Sequence, residues 1–451
     1  MKNFIIKERN SIKSALEKIE SNGEGIICIV NNSSKLIGIA TDGDIRRKLL
    51  EGVTLDQPIK LAMNSSFISA TSDDSRETLL KLLDNGAKAI PLLDENQTFL
   101  RLVTRNNLPI SEEKQNFVRS RAPVRVSFGG GGSDLTHFFS KSKGAVINST
   151  ISIYTHACLK QRNDDRVIIK SSDFNEVIEE SNLALALKKK SNLNLIQSII
   201  KLIGPDYGFE LEIYSDFPSN SGLGGSSAIS AAVLGCFNEL RKDPWDKYEL
   251  SELAFQAERL SLNIAGGWQD QYACTFGGFN FIEFNKNKNI IHPLRIQKST
   301  KLELEENLIL CDTGISHNSG NIHKDQKESM QNKDIDSLVR DNVDLTYEIR
   351  DQLLRGKLND FGASLDKAWK YKRKFSSSIS SPEIDDIYNE AKKNGAIGGK
   401  LLGAGGGGFF LFYVDPFKRQ KVIDKLEKMN LNIFRFIFDD LGLQTWKTRE
   451  E

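Results

Sequence analysis

Residues 218–228 read PSNSGLGGSSA, and the interpretation of this stretch decides the fold of everything around it. It stands between an apolar run with strand character and an apolar run with helix character. Glycines at 222, 224 and 225 let backbone approach a ligand closely, and serines at 226 and 227 offer hydroxyls. A glycine-rich turn that opens a helix gathers N–H groups at the positive end of the helix dipole, which suits an anion such as phosphate. No Gly-Lys-Ser/Thr follows the glycines, so the loop is not of the Walker A kind. Alone, the stretch reads equally well as a flexible surface turn, and the rest of the chain has to separate the two.

The chain has 451 residues, more than one ordinary core can organise, so two or three domains are expected. Its 61 Lys+Arg against 60 Asp+Glu leave a formal net charge of +1. Such a balance gives no reason to expect nucleic acid or a membrane surface as partner. Cys28, Cys158, Cys236, Cys274 and Cys311 are scattered, without CxxC spacing. They read as reduced thiols of a cytoplasmic protein, not as a disulfide framework or a zinc site. The opening MKNFIIKERN lacks the apolar core of a signal peptide, and no run approaches the roughly 18 apolar residues of a membrane span.

An internal repeat organises the first quarter. Gly25–Leu50, GIICIVNNSSKLIGIATDGDIRRKLL, is echoed by Lys88–Ile110, KAIPLLDENQTFLRLVTRNNLPI. At one constant offset Ile27 falls on Ile90, Ile29 on Leu92, Thr41 on Thr104 and Asp44 on Asn107. An amphipathic helix precedes each copy, marked by Ile12, Ala15, Leu16 and Ile19, then by Leu79, Leu80, Leu82 and Leu83. Each unit alone buries too little, so the two should pack into one small α/β domain. The repeat resembles a CBS pair (Bateman module) over residues 1–112, with copies at about 1–52 and 53–112, on the signature GIATDGDIRR at 38–47. The resemblance implies that Thr41 and Asp44 hold the phosphate and ribose of an adenosine nucleotide. Asn107 lacks the carboxylate charge, so the second copy departs from the pattern. A dimerisation module with no ligand is the alternative. Polar PISEEKQNF at 109–117 reads as a linker, with residues 113–117 as its core.

Three glycine-rich segments punctuate the remainder: RSRAPVRVSFGGGGSDL at 119–135, the stretch quoted first, and GGKLLGAGGGGFFLFYV at 398–414. In the first, Val124, Val126 and Phe128 alternate with Arg125 and Ser127 as a strand does, and four glycines then present Ser133 and Asp134. The order and wording of the three resemble the GHMP kinase superfamily, over about residues 117–440. Pro218, Gly222, Leu223, Gly224, Ser226 and Ala228 match its P-x-x-x-G-L-G-S-S-A motif, with Gly225 standing where the first serine usually is.

The resemblance implies an α+β fold: a ribosomal protein S5 domain 2-like ATP-binding half at 118–300, then a ferredoxin-like α/β half at 301–451. It implies ATP and Mg2+ as cofactors. Pro218, Ser221, Gly222, Leu223, Gly224, Gly225, Ser226 and Ser227 would cradle ATP, and Ser226 and Glu258 would hold the metal. Asp270, in GGWQDQ at 266–271, would orient the attacking hydroxyl and accept its proton.

RAPVRVSFGGGGSDL, GGWQDQYACTFGGFNFIEF and DTGISHNSGNI resemble the branch that phosphorylates D-glycero-D-manno-heptose 7-phosphate at its anomeric hydroxyl. The product would feed an activated heptose for surface polysaccharide. Arg125, Gly131, Gly132, Ser133, Asp134, Lys370, Lys372, Gly405 and Gly406 are then the expected sugar-phosphate contacts, with Arg373 and His317 as further candidates. A 1-kinase for an unphosphorylated fucose or hexose is the nearest alternative, and a nucleotide sensor with an inactive kinase fold is the other. A homodimer is expected from the CBS pair.

Overall fold

Ser11 starts the first helix because its side chain accepts from Ser14 N–H at 3.2 Å, and Gly23, left-handed at φ 69°, ends it. The computed structural model describes residues 4–108, 116–218, 221–315 and 333–449, together with 322, 325 and 329. The helix Ile12–Asn22 turns Ile12, Ala15 and Ile19 inward onto a sheet of β1 (Ile5–Lys7), β2 (Ile26–Val30) and β3 (Leu36–Thr41). β1 runs parallel to β2, and β2 antiparallel to β3. The second copy builds the same sheet from β4 (Ala70–Thr71), β5 (Ala89–Leu93) and β6 (Phe99–Thr104), covered by helix Arg76–Asp84.

The sequence offset carries into the register. Ile27 pairs with Ala40 and Ile90 with Val103, and both ladders shift register one residue before their end, after Ile29 and after Leu92. Ile26, Cys28, Val30 and Leu36 form a shared buried cluster with Ala89, Phe99 and Leu102. The two repeats therefore share one buried cluster, beside a separate cluster between each sheet and its own helix.

Residues Gln115–Glu451 form a second compact unit, distinct from Met1–Lys114. Its large sheet is built on two long strands, β7 (Asn116–Gly129) and β8 (Gly144–Gln161). The others are β9 (Val167–Ser171), β10 (Glu176–Glu180), β11 (Phe209–Ser215), β12 (Phe279–Phe284) and β13 (Asn289–Pro293). Their order is β10-β9-β11-β8-β12-β13, with β7 also on β8. A second sheet takes the order β15-β16-β14-β17, from β14 (Leu308–Asp312), β15 (Ala396–Leu401), β16 (Phe409–Val414) and β17 (Asn432–Phe434). Helices Leu358–Lys372, Pro382–Asn394 and Arg419–Lys428 pack on it, while helix Lys333–Leu354 packs on helix Leu358–Lys372 and on β7 and β8 of the large sheet.

The expected division at residue 300 is crossed at the end of the chain. β18 (Gln444–Arg449) returns to the first sheet and pairs antiparallel with β7, which would otherwise present a long unpaired edge. One core accordingly runs from Val124 and Phe128 through Leu234 to Trp369 and Phe412. Among the described residues no helix is long and apolar enough to cross a membrane.

Candidate active site

Between the two sheets of the second unit lies a cavity of about 340 Å3. One end is made mainly of backbone. The helix Gly225–Asn238 begins at Gly224, left-handed at φ 81°, so Gly225, Ser226 and Ser227 form a first turn whose N–H groups have no intrahelical acceptor. Ser226 Oγ donates to Glu258 Oε1, Ser227 Oγ lies 3.4 Å from Glu258 Oε2, and Gln271 Nε2 donates to that oxygen at 2.9 Å. Arg259 Nη1 stands 3.3 Å from Oε1. Glu258 is 3% exposed and belongs to the π-helical turn Gln256–Ser261, a wide turn of the kind that re-aims side chains at functional sites.

The third glycine motif supports this loop from behind. A Cβ on Gly403 would stand 2.6 Å from the Gly222 Cα, so the two backbones touch. Both residues have positive φ, 64° and 73°. Lys372 holds the motif in place, donating from Nζ to Leu401 O at 3.0 Å and Gly403 O at 2.5 Å. Burial first, then Lys400 and Arg125, push this ammonium well below the usual lysine range.

The other end is made of charged side chains. Arg125, delivered by β7, reaches Asp270 Oδ1 through Nε at 2.8 Å and Nη2 at 2.7 Å, and donates from Nη1 to Gly222 O at 2.7 Å. Asp134 accepts from Gly132 N–H at 3.1 Å and Gln269 N–H at 3.2 Å. Its carboxylate packs flat on Gly267, where a Cβ would lie 1.8 Å from Oδ2. Burial, then the Asp270 carboxylate, raises the Asp134 pKa above the ordinary value. Lys400 donates from Nζ to Ser127 O at 2.9 Å. Burial and then Arg125 lower its pKa to about 7, against the opposing pull of Asp134.

The cavity thus gathers Arg125, Gly131, Gly132, Asp134, Ser221, Gly222, Gly224, Gly225, Ser226, Glu258, Asp270 and Lys372 from the residues expected to act there. Others fall elsewhere. Ser133 is corrected from sugar contact to internal latch: it is fully buried, and its Oγ bonds Gly130 O at 2.8 Å and Ala145 O at 2.9 Å. Lys370 is corrected likewise, because it points to solvent and pairs with Asp366 at 2.8 Å, while Arg373 pairs with Asp385 at 2.8 Å. Gly405 and Gly406 pack on Ile379, behind Gly403 and Ala404, which border the cavity in their place. Leu223 is core and Ser227 is buried beneath Glu258, whereas Pro218 is exposed. His317 lies outside the described residues.

In the first unit Thr41 and Asp44 close a capping box at the start of helix Asp42–Leu50, Asp44 Oδ2 accepting from Thr41 N and Oγ1 at 2.9 and 2.7 Å. Arg47 pairs with the other oxygen.

Sequence reasoning missed Lys400, Gln269, Gln271, Arg259 and Asn342, all but Gln271 bordering the cavity. Lys400 could have been found, since it sits inside GGKLLGAGGGG; Asn342, on helix Lys333–Leu354, carries no motif.

Ser226 and Glu258 are hard oxygen donors in contact, which fits a Mg2+ ion. Among the described residues no three His, Cys, Asp or Glu side chains converge. An ion here would take its remaining ligands from phosphate and water.

Residues 194–278 match the GHMP kinases N terminal domain, 349–431 the GHMP kinases C terminal domain, and 1–51 the CBS domain. A D-glycero-alpha-D-manno-heptose 7-phosphate kinase of Campylobacter jejuni is 37% identical over 337 residues, 73% of this chain and 99% of that relative. The crystal structure of a D-glycero-D-manno-heptose 1-phosphate kinase from Bacteroides thetaiotaomicron aligns with a TM-score of 0.62 at 28% identity, covering 74% of this chain and all of that one. A Lactococcus lactis galactokinase shares the fold, with a TM-score of 0.58 at 20% identity over 74% of this chain and 95% of its own. The glycine loops, the Glu258 and Asp270 carboxylates and these likenesses converge: the chain belongs to the GHMP kinase family of alcohol-accepting phosphotransferases, and carries a CBS domain at its N-terminal end.

Proposed function

We propose that the protein transfers the γ-phosphoryl group of ATP to the anomeric hydroxyl of D-glycero-D-manno-heptose 7-phosphate, for activated-heptose and polysaccharide synthesis. One observation carries the reading: the Asp270 carboxyl, ion-paired with Arg125, lies 3.4 Å from where a Cβ on the helix-starting Gly224 would stand. A sugar hydroxyl on Asp270 is thereby next to a phosphate held at that helix start. The N–H groups of residues 225–227 would bind the phosphates, and Phe174, Ile196, Phe217 and Ile229 at the cavity wall offer apolar surface to the base.

Ser226 and Glu258 would hold Mg2+, which when bound neutralises charge on the phosphates. Asp270 orients the hydroxyl and takes its proton, while Arg125 fixes the carboxylate and ties it to Gly222 O. Asp134 receives sugar hydroxyls, because a carboxylate accepts from two at once. For the first unit, an adenosine nucleotide at Thr41 and Asp44, or the joining of two copies, remains the reading. The cysteines are free and fit a reducing cytoplasm.

A coupled assay over heptoses, hexoses and fucose, each with and without a distal phosphate, tests the substrate. The expected result is C1 phosphorylation with a strong preference for heptose 7-phosphate. A specific observation favours the second reading, an unphosphorylated sugar: Lys372 and Lys400 spend their ammonium groups on backbone carbonyls and Arg125 on Asp270 and Gly222 O. Higher kcat/KM for a sugar without distal phosphate would select it.

A further inference from the structure

Buried polar groups in folded proteins nearly always have partners, so each exception calls for a reason. Three residues with such an atom border the active-site cavity: Arg259, through Nε beside Glu258, and two more around Asp134. Asn342 is 3% exposed and donates from Nδ2 to Gly131 O at 3.2 Å. Because that partner is a carbonyl, the amide orientation is fixed, and Oδ1 is left with no partner. Gln269 is 4% exposed; its Oε1 faces Ser127 Oγ at 3.4 Å, and its Nε2 has no partner. Whichever way the Gln269 amide is turned, Ser127 satisfies only one end.

Both residues are built into the frame of Asp134. Asn342 holds Gly131, in the same turn as Gly132, whose N–H binds Asp134 Oδ1. The Gln269 backbone N–H binds Asp134 Oδ2. An unsatisfied acceptor and an unsatisfied amide end therefore flank the carboxylate assigned to the acceptor sugar. A sugar hydroxyl both donates and accepts, so a polyol is the ligand class that answers both. Ordinary stabilisation of the fold would have paired them or replaced them by apolar side chains, since an unpaired buried polar group costs stability.

We propose that Asn342 and Gln269 are specificity-determining residues that read the hydroxyl pattern of the acceptor sugar, Asn342 accepting from one hydroxyl and Gln269 bonding another. The assignment rests on the sugar-kinase reading above and deepens it. A site built to hydrogen-bond a hydroxyl rejects the analogue that lacks it, because its own polar group is then left unpaired.

The test uses the full-length protein and the sugar of the panel that the wild type phosphorylates fastest, with its monodeoxy analogues. Asn342→Leu, close in volume, should lower kcat/KM for that sugar about 10- to 100-fold, expressed in the sugar KM, with the KM for ATP unchanged. For one deoxy analogue, and only one, the wild type and the variant should coincide, because the hydroxyl that Asn342 reads is already gone. Gln269→Met should behave in the same way at a different carbon. Melting temperature and calorimetric ADP binding establish that each variant is folded; should Asn342→Leu not fold, Gln269→Met on the same analogues decides. An unchanged sugar KM in both variants, or a loss of the same size for every analogue, overturns the proposal while leaving the kinase reading intact. A wild type that phosphorylates none of the sugars sinks both.

Discussion

The two ends of the cavity are made of different materials. At the end proposed to hold phosphate the contacts are backbone: the first turn of helix Gly225–Asn238, and Gly222 pressed against Gly403. At the proposed acceptor end they are side chains: Asp134, Asp270, Arg125 and Lys400, drawn from separate segments, with burial and then a neighbouring charge shifting Asp134 and Lys400. A backbone cradle serves any triphosphate and depends on the absence of side chains. The acceptor end depends on which side chains are present, and substitution can re-specify it.

Removing the carboxylate proposed to take the proton should separate the ends most sharply. Asp270→Asn is expected to lower kcat by about 10²-fold or more in the coupled assay while calorimetric ADP binding stays within error of wild type. Joint loss of nucleotide binding would mean that Asp270 shapes the phosphate end as well.

The converse experiment is Gly403→Ala. A methyl group aimed at Gly222 displaces the loop, and a misplacement of about 1 Å can cost of order 10²-fold in rate. The loss should fall on kcat/KM for ATP, with sugar binding followed separately by its protection against thermal unfolding.

Ser133→Ala should leave the sugar KM alone and lower stability by about 1–3 kcal/mol in denaturant unfolding, because Ser133 Oγ bonds only Gly130 and Ala145. A rise in sugar KM would restore it as a contact.

A last effect is a slope. Lys400 has a folded pKa of about 7 against an ordinary 10.5, so between these values the unfolded chain binds more protons and stability rises with pH. Below about pH 7 both states carry the charge and the contribution is flat. Lys400→Met should therefore flatten the stability profile between pH 7 and 10, read as melting temperature.

The same contrast explains what the sequence made legible. Glycine loops announce themselves because close backbone approach tolerates few other residues, and Gly222, Gly224 and Ser226 could be placed from their own neighbourhood. Asp270 was legible only through the family resemblance that GGWQDQ carries. Asn342 stands 208 residues from Asp134 in the numbering and meets its turn only through the packing of helix Lys333–Leu354, so no local pattern marks it. Ser133 misled for the opposite reason: a serine beside glycines looks like a ligand, and only the depth of its burial shows a latch. In the first unit one constant offset was enough, since paired strands inherit the register of their repeat. The return of β18 to β7 had no counterpart in the sequence, because pairing between the first and last strands of the second unit leaves no periodic trace.

The meeting of Gly222 with Gly403 has a practical side. Where two main chains touch there is nothing to graft, trim or recharge, so a library that varies that point would mostly yield broken catalysts. Attempts to retarget the enzyme to a new monosaccharide should leave both glycines untouched and randomise Asn342 and Gln269 together.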